Sequence, residues 1–317
     1  MIEQIIIASV TKMAKGLCIG GYVLPEDWSI GDLTLGATRS VRLIPAGALW
    51  HSYTNNWKPG QIINAEIAER ANLVLPHTED VTLLRWRGDG CTVGYHAADA
   101  PCTCAGRGPA TTYPLVLRDI AVRSALTGSV NDLFHGKISR KLNGRAVVAD
   151  HTLDHSTEWW IPEVLSNDFN MGDIAPIRIV SSQYQNAAIL EAKPTQSLPE
   201  EYGTWTFKYV GINPICKRKV FDYITPETGF TLVCRMSLAR WFAGRNDQEK
   251  VCYADVSSIW IASHDRSSFV ALECESPRED GQCACEVVPS NEISDDIYRT
   301  TWGLIQNPNT DPDDLPF

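Results

Sequence analysis

The sequence has none of the features that mark a membrane protein or the best-signposted enzyme families. No apolar run approaches the roughly 18 residues that span a bilayer, and no basic segment leads into a signal-like apolar core near the first residue. A cytoplasmic chain without a membrane partner is therefore expected. No Gly-rich phosphate loop, nucleophile elbow or HExxH motif is present, so the usual signals of nucleotide hydrolysis, serine-type acyl transfer and zinc proteolysis are missing. No repeat with a period of about 20–50 residues is visible, which argues against solenoids and propellers. Positive charge is also scarce: 28 Lys and Arg stand against 38 Asp and Glu, a net charge of -10. Such a chain does not coat duplex nucleic acid by bulk electrostatics, although a basic groove on an acidic body is compatible with that total.

What is present is an ordinary globular composition, 44% hydrophobic and 21% charged over 317 residues. This length exceeds one typical core and suggests two domains. Ten cysteines at irregular spacing, without a secretion signal, read as buried thiols or metal ligands rather than a disulfide framework.

The chain is organised around residues 5–24. Ile5, Ile6, Ile7, Ala8 and Val10 form a β-branched run, residues 12–16 turn, and residues 17–24 are apolar again around Gly20 and Gly21. That pattern predicts a hairpin. Paired glycines inside a strand mark a bulge or sharp bend, as where a small barrel curls over itself; an ordinary edge hairpin is the alternative. Further strands are expected at 41–45, 61–67 and 81–86, then an insertion loop at 88–109 and a helix at 115–126 opened by Pro114. Residues 131–155 read as a connector with one strand at 145–149. A second series of short strands follows at 177–180, 187–191, 205–210, 219–224, 230–236, 253–261 and 269–274, and a helix at 294–305. The expected organisation is a first barrel at 1–130, a connector at 131–172, a second barrel at 173–290, a helix at 291–306 and a flexible acidic tip at 307–317.

Asp311, Pro312, Asp313, Asp314, Leu315, Pro316 and Phe317 closely resemble the acidic tip of bacterial single-stranded-DNA-binding proteins, in which aspartates precede an Ile or Leu, a Pro and a terminal Phe. In such a tip a partner pocket buries the Phe317 ring while an Arg pairs its carboxylate. Pro316 lowers the ordering cost, and Asp311, Asp313 and Asp314 meet a basic ridge. A solvated acidic tail is the plainer reading. A more diffuse resemblance covers residues 5–261. It rests on Cys18-Ile19-Gly20-Gly21, Val41-Arg42-Leu43-Ile44-Pro45, Pro76-His77-Thr78-Glu79-Asp80, Met236-Ser237-Leu238 and Cys252-Tyr253. These stretches are similar to a bacterial family with two OB-type barrels, the dual-OB proteins associated with mobile elements and defence loci. The sequence departs from that family's pattern at 25–40 and in the Cys-rich loop. The resemblance implies a mainly β fold of two OB-like small β-barrels, with a helix-containing connector and a short C-terminal helix.

OB-type barrels commonly hold single-stranded nucleic acid, stacking bases on aromatics and pairing phosphates with Lys or Arg. Trp205, Phe207 and Tyr209 alternate along one strand and present three rings on one face. Two basic clusters could track a backbone: Lys137, Arg140, Lys141 and Arg145, and Lys217, Arg218 and Lys219. Alternating aromatics also describe an ordinary core face, and basic runs also describe solvated surface. Cys91, His96, Cys102 and Cys104 have the donor types of a structural zinc site, at a spacing that matches no standard pattern; free loop thiols are the alternative. His77 with Glu79 and Asp80, and His151 with Asp154 and His155, read as structural polar residues because no nucleophile accompanies them.

The expected function is non-enzymatic and requires no cofactor: a single-stranded-DNA-binding protein or adaptor whose tip recruits replication and repair proteins. Its rivals are an interaction module of a phage or anti-phage system that mimics the tip without binding DNA, and a sensor of a small nucleotide.

Overall fold

The computed structural model describes residues 2–13, 15–29, 38–52, 57–88, 91, 94–98, 100, 113–162, 177–181, 188–192, 204–216, 230–243, 249–263 and 268–274. The strand expected at 219–224 and the helix expected at 294–305 lie outside these residues, as does most of the insertion loop.

The first unit contains β1 (Ile2–Met13), β2 (Gly16–Val23), β3 (Arg39–Pro45), β4 (Ile62–Glu69), β5 (Asp80–Gly88) and the short β6 (His96–Ala97). Strand β1 is long enough to serve two neighbours. Its first half pairs antiparallel with β4 from Ile2↔Glu66 to Ile6↔Ile62, and its second half pairs with β2 as far as Met13↔Gly16. β2 continues to β3, β4 to β5, and a parallel pairing of β3 with β5, from Arg42↔Asp80 to Pro45↔Leu83, closes five strands into a barrel. This circuit leaves no sheet edge among those five strands.

The apolar run of β1 is continuous because both of its faces are buried. Ile5, Ile7 and Val10 point into the barrel with Ile19, Leu43, Ile63, Leu83, Trp57 and Trp86. Ile6 and Ala8 point outward, against Val116, Leu117 and Ile120 of the helix α1 (Pro114–Ser124) and against Trp159, Val233 and Trp260 of the second unit. The β1–β2 register shifts between Ile7 and Ser9, facing Gly20 and Gly21. The bulge expected from the paired glycines is thus present, with the extra residue, Ala8, on the opposite strand. Pro114 begins α1 as expected, and α1 lies between the two units.

The second unit is built from β7 (Leu126–Gly128), β8 (Ile138–Arg140), β9 (Ala146–Val148), β10 (Thr157–Pro162), β11 (Ile177–Ser181), β12 (Ala188–Ala192), β13 (Trp205–Tyr209), β14 (Phe230–Leu238), β15 (Cys252–Ser263) and β16 (Phe269–Ala271). Its spine is the antiparallel β14–β15 pair, from Phe230↔Ser263 to Leu238↔Ala254. The path runs β12-β11-β13-β15-β14-β10-β7, with the β8–β9 hairpin and β16 also attached to β15. Among the described residues no pairing returns β12 to the far edge, so this sheet is a curled half-barrel beside the closed barrel. The stretch expected as a connector supplies β8, β9 and β10 to the sheet. The protein is therefore mainly β, with two OB-like units.

The units are stitched along β1. Lys12 donates its backbone N–H to the Val210 carbonyl at 2.8 Å, and Ile212 donates to the Val10 carbonyl at 3.2 Å. Ser258 Oγ reaches the carbonyl of the bulged Ala8 at 3.3 Å. Glu79 accepts from both the backbone N–H and the hydroxyl of Ser156, at 2.6 and 2.9 Å.

Candidate functional site

The aromatic row is the first correction. Trp205, Phe207 and Tyr209 point into the concave core of the second unit and are buried, Phe207 completely. Phe207 packs on Trp160 with ring centroids 5.7 Å apart, and Tyr209 donates its hydroxyl to Glu273 at 2.6 Å. A ring enclosed on both faces offers nothing to a base, so these three residues are core and not a stacking platform.

The first basic cluster is brought together on the β8–β9 hairpin, and its members are engaged differently. Lys137 is tied to Asp150 at 3.0 Å and to Thr152 at 2.9 Å. Arg140 is exposed. Lys141 and Arg145 converge over the ring of Tyr253, 5.5 and 4.8 Å from its centroid, while Arg145 also pairs with Asp255 at 2.8 Å. Burial pushes the Asp255 carboxyl up from its ordinary value and the Lys208 ammonium down, the Lys208 shift reinforced by the charge of Arg145. Phe242, 39% exposed, lies 6.4 Å from Tyr253. The partly exposed aromatic beside the basic hairpin is thus Tyr253, which a search for alternating rings misses because the other ring of its strand, Trp260, is seven residues away. Lys217, Arg218 and Lys219 lie outside the described residues, as do Asp311, Asp313, Asp314, Leu315, Pro316 and Phe317.

Of the expected zinc ligands, Cys91 Sγ lies 3.4 Å from His96 Nε2; Cys102 and Cys104 lie outside the described residues. Among the described residues no group of three His, Cys, Asp or Glu is gathered for a metal.

The cleft between the units brings several buried arginines and serines together. The outer face of β1, β2 and β3 forms one wall, and β14, β15 and residues around Ser156 form the other. Ser9, Cys18, Arg42, Arg235, Ser237 and Arg240 line an enclosed space of about 80 Å³. Arg42 donates its Nε to Asp80, and Arg240 approaches the same carboxylate at 3.4 Å. Arg42 also bonds His77 Nδ1 at 3.0 Å. Arg235 is 1% exposed and donates to Ser9 Oγ; among the described residues its Nε and second terminal nitrogen have no partner, and neither does one terminal nitrogen of Arg42. Its guanidinium lies 5.6 Å from the Tyr22 ring centroid and 6.0 Å from that of Trp159. Gly20 makes this placement feasible: a Cβ there would sit 2.4 Å from an Arg235 terminal nitrogen. Burial raises the Cys18 thiol above its ordinary value, so it is neutral in this cleft. Arg42 and Arg235 were not singled out in the sequence as site residues, although a lone Arg inside an apolar strand is itself a signal, since arginine is seldom fully buried without a purpose.

His77 is buried and uncharged. Burial first, and then the neighbouring Arg42 charge, lower its pKa from the ordinary 6.5 to about 3. The unfolded chain takes up this proton near pH 6.5 and the folded chain only near 3, so His77 costs the fold stability as pH falls through that window and costs nothing above it. Urea midpoints should therefore drop more between pH 7 and pH 4.5 for the wild type than for a His77→Gln protein, with the two proteins' pH slopes equal above pH 7. Parallel acid slopes would remove His77 from this account.

Fold and geometry together define a mainly β protein whose two OB-like units enclose an arginine-lined cleft and carry a basic hairpin on the outer rim. No protein-family model, curated protein or solved structure matches the chain.

Proposed function

We propose that the chain is a non-enzymatic single-stranded-DNA-binding adaptor of the dual-OB type. The observation that carries this reading is Tyr253, partly exposed, with Lys141 and Arg145 over its ring and Phe242 beside it. A ring flanked by cations is the unit from which single-strand grooves are made: a base takes the ring face and the displaced ammonium takes a phosphate. Such a local site is compatible with a net charge of -10, because Lys137, Arg140, Lys141 and Arg145 are gathered on one hairpin. Residues 311–317 serve in this reading as the arm that recruits replication and repair proteins. Replacing Phe317 by Ala should then abolish partner capture while leaving DNA binding unchanged or stronger.

The test is a titration of the full chain with oligothymidine and with duplex, read by intrinsic fluorescence from its ten tryptophans. The single strand should bind, more weakly as salt rises, and a Tyr253→Ala/Lys141→Ala protein should bind about tenfold less tightly, the loss expected for one stacked base. Equal binding by the double variant overturns the assignment of the site. No response to either nucleic acid overturns the DNA reading and favours the interaction-module rival, with which the acidic net charge also agrees.

A further inference from the structure

The cleft between the units poses a problem that neither the fold nor the rim site resolves. A guanidinium remains charged at any accessible pH, and a buried charge without a counter-charge costs several kcal/mol. Arg235 is such a charge. The carboxylates around the cleft among the described residues are already engaged, Asp80 by Arg42 and Arg240, Asp255 by Arg145, and Glu79 by the N–H and hydroxyl of Ser156. Among the described residues Arg235 therefore has no carboxylate of its own, and arginines outnumber carboxylates around the cleft. Unpaired N–H groups of Arg42 and Arg235, both more than nine-tenths buried, line the same enclosed space. Ser9, Ser237 and Ser257 also line it, Ser9 accepting from Arg235 and Ser257 donating its hydroxyl to the Arg235 carbonyl. Its volume of about 80 Å³ compares with the roughly 10–15 Å³ that one water requires by the same measure, which leaves room for a tetrahedral oxyanion.

We propose that this cleft is a phosphate-binding site in which Arg235 and Arg42 hold the oxyanion between the two units. Arginine forks suit phosphate oxygens by geometry as well as charge. Gly20 belongs to the site, because only a residue without a Cβ lets Arg235 lie against β2. The ligand touches β2 and β3 on one side and β14 on the other, so it ties the two units together. The phosphate is either free or carried by a mononucleotide; the shared chemistry is the same. The site is separate from the Tyr253 rim, so a Tyr253→Ala/Lys141→Ala protein keeps it.

The experiment is a thermal melt of the full chain against inorganic phosphate and against dTMP, each compared with chloride at equal ionic strength. Saturating ligand should raise the wild-type midpoint by about 3 °C or more. A shift with inorganic phosphate supports a free ion as occupant, and a shift with dTMP alone supports a nucleotide. Arg235→Met should abolish the shift and, without ligand, melt no lower than the wild type, because it removes an uncompensated buried charge. Arg235→Lys keeps the charge but loses the fork, and should need about tenfold more ligand. No shift of the wild type with either ligand overturns the proposal, as does an equal shift in the Arg235→Met protein.

Discussion

A Gly21→Val protein should lose about 3 kcal/mol of folding stability, the upper range for overpacking a tight interior. Gly21 sits in β2 opposite Ile7, where the β1–β2 register shifts. A Cβ at this position would lie 2.5 Å from the Ile6 carbonyl oxygen and 3.0 Å from Ile5 Cγ2. The first obstacle is backbone and cannot rotate away; the second belongs to a fully buried core side chain. The strain can be relieved only by parting β1 from β2, and β1 also carries the pairing to β4 and the stitches to the second unit. Gly88→Ala is the matched control. There the nearest atom to an added Cβ is the Gln61 side-chain nitrogen at 3.4 Å, an ordinary contact at the end of a flexible group. Urea unfolding should separate the two proteins clearly, and a Gly21→Val midpoint equal to the wild type would remove close approach as the reason for this glycine.

That the bulge could be expected from residues 5–24 shows which kind of information a sequence carries well. Long strands with both faces buried announce themselves as β-branched runs, and a glycine pair within one has few purposes. The helix was legible for a similar reason, since Pro114 pre-sets its first turn. The β8–β10 region was less legible. Strands of three residues show no periodicity, and Trp159 and Trp160 of β10 are both buried on opposite faces, so alternation is erased. The Trp205, Phe207 and Tyr209 row was seen, but period two fixes only that three rings share a face, not which face meets solvent. The residues between them, Thr206 and Lys208, were the clue: polar groups on the opposite side, each only half-buried, turn the rings inward.

The cleft was not legible at all as a site, because its parts come from strands nearly two hundred residues apart and only the packing of the two units brings them together. Arg235 sits in the run Leu232, Val233, Cys234, Arg235, Met236, whose apolar neighbours mark a buried strand. Burial of the strand was readable; that the arginine would find no carboxylate there was not. Within the same cleft, Arg42 and Asp80 were part of stretches noted for resemblance to a family, and their contact follows from the parallel β3–β5 pairing that closes the barrel.

That contact supports the second large expectation: an Asp80→Ala protein should lose about 3–5 kcal/mol, the cost of stripping one partner from a buried ion pair. Asp80 is 6% exposed and Arg42 8%, so little solvent can replace the lost carboxylate. Arg42 would keep its bond to the uncharged His77 but lose its ion-pair partner, and Arg240 would lose its contact with the same carboxylate. Adding Arg42→Met should recover a large part of the loss, since a buried pair replaced by apolar groups is often close to neutral. The two single variants and the double variant form a cycle whose coupling reads the pair directly. Additive losses would mean that Asp80 acts through packing rather than charge. Stability and ligand response should move in opposite directions here. Without Asp80 the cleft becomes more positive, so the weakened protein should gain a larger melting shift from inorganic phosphate than the wild type does. A shift no larger than that of the wild type would separate the Arg42–Asp80 pair, as a structural contact, from the oxyanion proposed to lie beside it.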